Sequence, residues 1–240
     1  MCTVTFIPRG SEGYILTSNR DEKITRPSAT PPFIEHYQHY TIIYPKDPLG
    51  GGTWIASDNR NNSICLLNGA FQRHKPHYPY RHSRGLIVLD YFKFNNLFDF
   101  IDFYDLNNIE PFTLVIIQDF RLFEFRWDGE HRYLRNLAFE NPKIWSSVTL
   151  YDDHIIKKRE DWFQDWLKKQ SAFTVENILD FHTYAGEGNK KNNVMMERDN
   201  LIKTISITSI FNNQKTTTIY YKDIINKLEQ KATLTSKVLY

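Results

Sequence analysis

The chain has 240 residues, of which 41% are hydrophobic and 24% are charged, and its formal net charge is +2. These values are ordinary for a globular domain and exclude the collagen-like and disordered classes. A nearly balanced charge gives no indication of a nucleic-acid partner, and no apolar run approaches the roughly 18 residues of a membrane span. We therefore expect a single domain over residues 1–240.

The first half of the chain predicts mainly strands. Alternating residues predict a β-hairpin within the first thirty residues, with a turn at 9–13. Prolines at 27, 31 and 32 predict an extended loop over 27–36. Strands are expected next at 40–44, 53–57 and 62–67, followed by a surface loop at 71–82 and helices at 84–94 and 97–104.

The second half repeats this order of strands followed by helices. Strands are predicted at 112–118, 122–127 and 131–137, helices at 152–169 and 175–182, a loop at 185–193, a hairpin from 204–211 and 216–221, and a final helix at 223–230. The basic run 157–159 is interpreted as the solvated face of its helix. Two blocks of strands with segregated helices indicate a layered α+β fold.

The two cysteines, Cys2 and Cys65, are too few for a disulfide framework. The N-terminus has neither the basic nor the apolar region of a signal peptide, so a cytoplasmic location is expected. Cys65 is expected to be a small buried side chain. Histidines at 74, 77 and 82 fit no common zinc pattern, so neither a metal nor another cofactor is expected.

Cys2 is the residue whose side chain is best suited to catalysis. Methionine aminopeptidases remove Met1 before a small side chain, and the mature chain would then begin with a thiol and a free α-amine on one residue. The thiol can act as a nucleophile and the amine as its general base, since their ordinary pKa values are about 8.5 and about 7.7–8.0.

The predicted hairpin brings a polar cluster to the same place. In an antiparallel pair the end of the second strand lies beside the start of the first, so Asn19, Arg20, Asp21 and Glu22 are expected near the N-terminal amine. A carboxylate there could orient the amine, and a guanidinium could lower the pKa of the thiol or bind an anionic substrate. A solvated cluster that merely braces the strand is the alternative.

These residues, in this order, resemble a known family. The segments 1–3, 19–22, 26–27, 51–54 and 83–85 together resemble the NRDE family, which includes the transport-and-Golgi-organisation protein of animals. The family is similar at its N-terminus to N-terminal nucleophile (Ntn) hydrolases of the penicillin V acylase and bile-salt hydrolase kind. The resemblance implies a four-layer α-β-β-α sandwich, and hydrolysis of a small amide or other acyl substrate.

The resemblance also implies roles for individual residues. Cys2 matches the nucleophile, Asp21 the aspartate beside it and Asn19 the asparagine of the same motif. Asn68 matches an asparagine whose N–H groups help to form the oxyanion hole, where one donor is typically worth about 3 kcal/mol. Arg20 is the nearest substitute for an acylase arginine that is absent from this chain.

Several positions depart from the acylase pattern. The missing arginine falls on Ser18, and a second acylase asparagine falls on Ser147, whose hydroxyl has a shorter reach. Arg198 or Lys203 could replace a late acylase arginine.

Animal relatives are linked to haem trafficking and lipid homeostasis, so the alternative is a carrier of haem or a lipid-like apolar ligand.

Overall fold

The computed structural model describes residues 3–237 of the chain. Its strands, in chain order, are β1 (Thr3–Pro8), β2 (Tyr14–Lys23), β3 (Thr30–His36), β4 (Thr41–Lys46), β5 (Ile55–Asp58), β6 (Ser63–Asn68), β7 (Phe112–Gln118), β8 (Arg121–Trp127), β9 (Arg132–Leu137), β10 (Lys143–Ser146), β11 (Glu197–Arg198), β12 (Ile202–Asn212), β13 (Thr216–Asp223) and β14 (Leu228–Thr235). Its α-helices are α1 (Arg84–Tyr91), α2 (Leu97–Phe103), α3 (Asp153–Lys169) and α4 (Val175–Tyr184).

The strands form two antiparallel sheets. The first has the order β10-β1-β2-β12-β13-β14, with the short β11 also pairing with β12. The second is a meander in which β3 to β9 follow one another in sequence order. Strand β1 lies between β10 and β2, so the start of the described chain is held on both sides.

Helices α3 and α4 cover the outer face of the first sheet. Ile7 and Ile15 on neighbouring strands pack with Phe163 of α3 and Phe181 of α4 in one buried cluster. Helix α3 places its aromatic residues on one stripe, as an amphipathic helix against a sheet requires. This arrangement makes one outer layer of the sandwich.

Helices α1 and α2 cover the second sheet, and the two sheets face each other. Ile87 of α1 and Phe100 of α2 belong to the large cluster that also contains the apolar residues of both sheets. The Tyr14 hydroxyl of β2 forms a hydrogen bond of 2.8 Å with Ser63 Oγ of β6, across the interface between the sheets. The α-β-β-α order of layers confirms the predicted fold class.

One segment predicted as a loop is a strand. Residues 30–36 of the predicted 27–36 loop form β3, which lies at the edge of the second sheet and pairs with β4. Proline lacks an N–H and is tolerated at an edge or a bulge, and the register shifts between Thr30 and Phe33, around the two prolines. The Phe33 ring packs on Tyr44 with centroids 4.8 Å apart. The loop that the prolines predict is therefore wrong over residues 30–36.

The predicted final helix at 223–230 is also wrong. The Asp223 carboxylate accepts hydrogen bonds from the backbone N–H groups of Ile225 and Asn226, both at 2.9 Å, and so closes a tight turn. Lys227 has φ 55°, which ends any helical run. The chain then returns as β14 along β13. Strand β10 (Lys143–Ser146), beside β1, was not predicted at all.

No helix within residues 3–237 combines the length and the apolar character that crossing a membrane would require. The longest, α3, has 17 residues and carries charged side chains along its length.

Burial makes Cys65 a chemically inert thiol. Its side chain is fully buried between the sheets, and burial raises its pKa to about 12 although Ser18 donates a hydrogen bond to it. We expect Cys2→Ala protein to show no thiol labelling by a disulfide reagent at pH 8 in native buffer, and one labelled thiol in denaturant. Rapid labelling of native Cys2→Ala protein would contradict this prediction, and Cys65→Ala is the matched control.

Candidate functional site

The start of strand β1 is fixed by its register with both neighbours. Thr3 lies opposite Asn19 of β2 and opposite Ser146 of β10. Cys2, the predicted nucleophile, is bonded to Thr3 in the sequence and lies outside the described residues. The site is therefore built from what surrounds Thr3.

The polar cluster at the end of β2 divides between the two faces of its sheet. Successive side chains of a strand point to opposite faces. Ser18 and Arg20 face the second sheet, where they contact Cys65 and Trp54. Asn19 faces the helical layer instead and contacts α4. The structure thus places Asn19, the first residue of the cluster, opposite Thr3 of β1, but does not bring the side chains of the cluster together.

Asp21 is buried on the helical side. Its carboxylate accepts hydrogen bonds from Thr204 Oγ1 at 2.5 Å and from the Tyr151 hydroxyl at 3.2 Å. The Tyr151 ring lies between two guanidinium groups, with Arg159 3.6 Å and Arg198 4.8 Å from its centroid. Arg198, one of the two suggested replacements for the acylase arginine, is therefore linked to Asp21 through Tyr151.

Arg159 is a central residue that the sequence interpretation missed. It was assigned to a solvated helix face, but it is fully buried, so that assignment is wrong. Its guanidinium donates to Thr3 Oγ1 at 2.5 Å and to the backbone carbonyl groups of Asn192 and Asn193. The signal was present, because Arg159 lies four residues from both Ile155 and Phe163 and so shares their face of the helix.

Asn19 belongs to a second buried hydrogen-bond network. Its amide nitrogen donates to the carbonyl groups of His182 and Val194, so its Oδ1 is left to accept from His182 Nδ1 at 2.6 Å. His182 Nε2 then accepts from Thr5 Oγ1 at 2.8 Å. Burial, with a smaller effect of the Arg159 charge, lowers the pKa of His182 to about 3. The imidazole is therefore neutral and locked in one tautomer.

A polar cleft of about 240 Å³ lies on the other side of β2. Arg20, Glu22 and Arg26 line it from β2 and the turn that follows, and Asn68 lines it from the end of β6. The remaining walls are residues 52–54 and 83–85, together with Asp47, Leu66, His82 and Glu110. Four short sequence motifs, from three separate regions of the chain, therefore meet in one place.

Two of these motifs meet backbone to backbone. The Thr53 N–H donates to the Gly85 carbonyl at 3.0 Å, and a Cβ added to Gly52 would lie 2.2 Å from the Gly85 carbonyl carbon. A Cβ on Gly85 would in turn lie 3.0 Å from the Thr53 carbonyl oxygen. Glycine is required because the loop and the first turn of α1 touch without intervening side chains.

Charged groups line the cleft in opposed pairs. Arg26 donates a hydrogen bond to Asp47, and Arg84 lies 2.9 Å from Glu110. Burial raises the pKa of Asp47, but the Arg26 hydrogen bond and the charges of Arg20 and Arg26 outweigh it and hold this pKa below its ordinary value. Asp47 is therefore ionised at neutral pH.

Asn68 and Ser147 are direct neighbours. Ser147 Oγ donates to the Asn68 backbone carbonyl at 2.8 Å and also lies 2.9 Å from Thr149 Oγ1. Ser147 thus fixes the end of β6 through the backbone, while the Asn68 residue lines the cleft. Within residues 3–237, no group of three or more His, Cys, Asp or Glu side chains is placed to hold a metal ion.

Replacing Gly52 by alanine tests the contact between the motifs. The added Cβ would meet backbone atoms of Gly85, so we expect Gly52→Ala to lower the free energy of unfolding by about 1–3 kcal/mol. Gly50→Ala is the matched control, since its Cβ would meet only side-chain ends, at 3.2–3.3 Å. Denaturant unfolding measures both, and equal stability of the two variants would contradict the interpretation.

The neutral imidazole of His182 predicts a pH dependence of stability. The unfolded chain binds a proton near pH 6.5, whereas the folded chain does so near pH 3. Stability is therefore lost as the pH falls between these values, by about 1.4 kcal/mol per pH unit from this group. Unfolding curves at pH 7 and pH 4.5 should differ less for His182→Gln than for the unchanged protein. An equal difference in both would refute the assignment.

Several solved protein structures are similar to this one. A conjugated bile acid hydrolase from Clostridium perfringens has a TM-score of 0.61 at 10% identity, with 99% of this chain and 97% of that chain covered. A second structure of that enzyme has the same score and identity and covers 100% and 97%. The Caenorhabditis elegans orthologue of N-acylethanolamine-hydrolysing acid amidase has a TM-score of 0.61 at 11% identity and covers 98% and 100%.

At this level of identity the likeness shows the fold, which is that of the Ntn hydrolases. A search of curated protein sequences gave no match. The model of the family described as Transport and Golgi organisation 2 matches residues 1–231. The chain therefore belongs to the Transport and Golgi organisation 2 family, which confirms the predicted NRDE resemblance.

Proposed function

We propose that the protein is an N-terminal-nucleophile hydrolase that cleaves a small amide or other acyl substrate through Cys2. The observation that carries the proposal is the convergence of the Arg20, Gly52–Trp54 and Ser83–Gly85 motifs and Asn68 on one cleft. Strand β1 and strand β2 run antiparallel with Thr3, the residue after Cys2 in the sequence, opposite Asn19, the residue before Arg20. Arg20 lines that cleft.

The mechanism requires removal of Met1. The α-amine of Cys2 takes the proton of its own thiol, and the sulfur attacks the acyl carbonyl. The protonated amine then gives this proton to the leaving group as the bond to that group breaks, which leaves a thioester acyl-enzyme. Water releases the acyl-enzyme in the second half of the reaction, with the same amine acting as general base. The nucleophile and the base of both steps therefore belong to one residue.

Asn68 and Asp21 supply the supporting roles. The Asn68 side chain donates a hydrogen bond to the oxyanion together with a backbone N–H, which stabilises the charge that develops in the transition state. Asp21 orients the α-amine from the helical side. The contacts of its carboxylate with Thr204 and Tyr151 support this role, because they hold the group in one position.

Contacts with helices α3 and α4 support the position of the nucleophile. Arg159 bonds to the side chain of Thr3, the residue next to Cys2, and Asn19 bonds to α4. A nucleophile must be held within a fraction of an ångström of its productive position, which rigid buried neighbours make possible. These two residues are positioning residues rather than catalytic ones.

The lining of the cleft favours a polar ligand, such as a small acyl compound, over a ligand that has no polar groups. Three guanidinium groups and three carboxylates surround the cleft. A ligand without polar groups would cover these charges without offering them new partners, which is unfavourable. A small polar acyl compound can bond to them.

The first test is the intact mass of the purified protein and the labelling of its thiols. We expect a mass short by one methionine and rapid single labelling by iodoacetamide that is lost in Cys2→Ala but kept in Cys65→Ala. The reason is that only a processed Cys2 has an adjacent amine as base. Retained Met1, or labelling of Cys65→Ala no faster than that of a free cysteine, would refute the mechanism.

Hydrolysis is then measured with 4-nitroanilides of short carboxylic acids. Cys2→Ala should lower kcat/KM by about 10³-fold or more, since it removes the nucleophile. Asn68→Ala should lower kcat by roughly 10²-fold with little change in KM, as expected for a group that acts on the oxyanion. Turnover that is unchanged in Cys2→Ala would contradict the proposal.

A further inference from the structure

Arg20 is a buried cation whose terminal nitrogens lack hydrogen bonds. Its side chain is 2% exposed, and within residues 3–237 neither Nη1 nor Nη2 has a hydrogen-bond partner. Burying a guanidinium without partners is costly, so such a group in a folded protein calls for an explanation. It lines the polar cleft described above, which is where a ligand would supply the missing partners.

The surroundings of Arg20 hold it in place without satisfying it. Its guanidinium carbon lies 4.7 Å from the centroid of the Trp54 ring. Nη2 is 3.2 Å from Asp47 Oδ2, but the same oxygen accepts the hydrogen bond of Arg26, and the contact with Arg20 is an ion pair without hydrogen-bond geometry. The indole Nε1 of Trp54 is also buried and without a partner in the described part of the chain. Two neighbouring side chains therefore have donors that lack an acceptor in the described part of the chain.

The charges of the cleft limit what that acceptor can be. Arg20, Arg26 and Arg84 are balanced by Glu22, Asp47 and Glu110. Arg26 and Arg84 are each hydrogen-bonded or ion-paired with one of these carboxylates through their terminal nitrogens. Arg26 Nε also lacks a partner among the described residues, but Arg20 differs from both in having two terminal nitrogens without a hydrogen bond. A single negative charge fits this balance better than a phosphate dianion, because each added charge is repelled by the carboxylates.

We propose that Arg20 and Trp54 form a subsite for a carboxylate of the substrate, so that the acyl compound carries a free carboxylate group. The fork of a guanidinium matches a carboxylate bidentately, and an indole N–H adds a donor beside it. The inference rests on the proposed function, since it names the substrate class of the same cleft. Asn68 lines the cleft as well, so one substrate can meet both groups.

The test compares an acid with its amide in protein that cannot turn them over. Calorimetric titration of Cys2→Ala protein with hippurate and with hippuramide separates the charge of the ligand from its shape. We expect hippurate to bind at least about tenfold more tightly than hippuramide. Equal affinity, or no saturable hippurate binding up to about 10 mM, would overturn the subsite and leave ordered water as the partner of Arg20.

Variants then assign the preference to Arg20. In the Cys2→Ala background, Arg20→Met should abolish the preference for the acid. Trp54→Phe keeps an aromatic ring but loses the indole N–H, and it should weaken the binding of hippurate by about threefold. Arg60→Met is the matched control, because Arg60 is also paired with an aspartate and lies 5.6 Å from the centroid of the Tyr40 ring, outside the cleft. A preference that survives in folded Arg20→Met would overturn the assignment.

Two further arms separate related explanations. Inorganic phosphate should not displace hippurate at equal concentration. Displacement would overturn the proposal of a carboxylate subsite and indicate a phosphate subsite instead. If the acid preference is found but Cys2 is not a reactive N-terminal thiol, the hydrolase proposal fails and the subsite remains. If Cys2 is reactive and the acid preference is absent, the subsite alone fails.

Discussion

The hydrogen bonds of Arg159 are the interaction on which the arrangement of the site depends. One buried guanidinium joins helix α3, the first described residue of β1 and the loop that contains Asn192 and Asn193. A buried charge is tolerated only when its donors are satisfied. Because its acceptors come from two parts of the chain outside its own helix, these three parts cannot shift independently without leaving donors unpaired. The start of β1 is held by this requirement as well as by its register with β2 and β10.

Arg159 and Arg20 are the same residue type at nearly the same burial, but their bonding is opposite. The guanidinium of Arg159 is satisfied by a hydroxyl and two carbonyl groups and is covered by the Tyr151 ring. The terminal nitrogens of Arg20 have no hydrogen-bond partner among residues 3–237, although its ring contact with Trp54 is comparable. Both guanidinium groups are therefore buried against an aromatic ring, and they differ in that the terminal nitrogens of Arg20 make no hydrogen bond to the described residues. That difference is the reason for assigning a structural role to one and a binding role to the other.

The sequence was sufficient for the layered fold and most elements, because hydrophobic periodicity records which faces are buried. It failed where a local signal competed with long-range pairing. The prolines of β3 indicate a loop unless a bulged edge strand is available. Asp223 indicates a helix start, but its carboxylate accepts backbone hydrogen bonds in a tight turn just as it would at a helix N-cap. It also failed at Arg159, since charge was weighed more heavily than spacing. The candidate residues could be named from motifs, but their bonding could not, because partners such as Tyr151 and His182 come from more than 100 residues away.

The division of the polar cluster between two faces follows from the period of a β-strand. Four consecutive polar residues cannot all address one site, because alternate side chains leave the sheet in opposite directions. Arg20 consequently faces the cleft, whereas Asn19 is bonded to α4. The motif therefore couples two layers of the sandwich across a single strand. A change at Asn19 is expected to act through the packing of the helices, and a change at Arg20 through the contents of the cleft, although the two residues are adjacent in the chain.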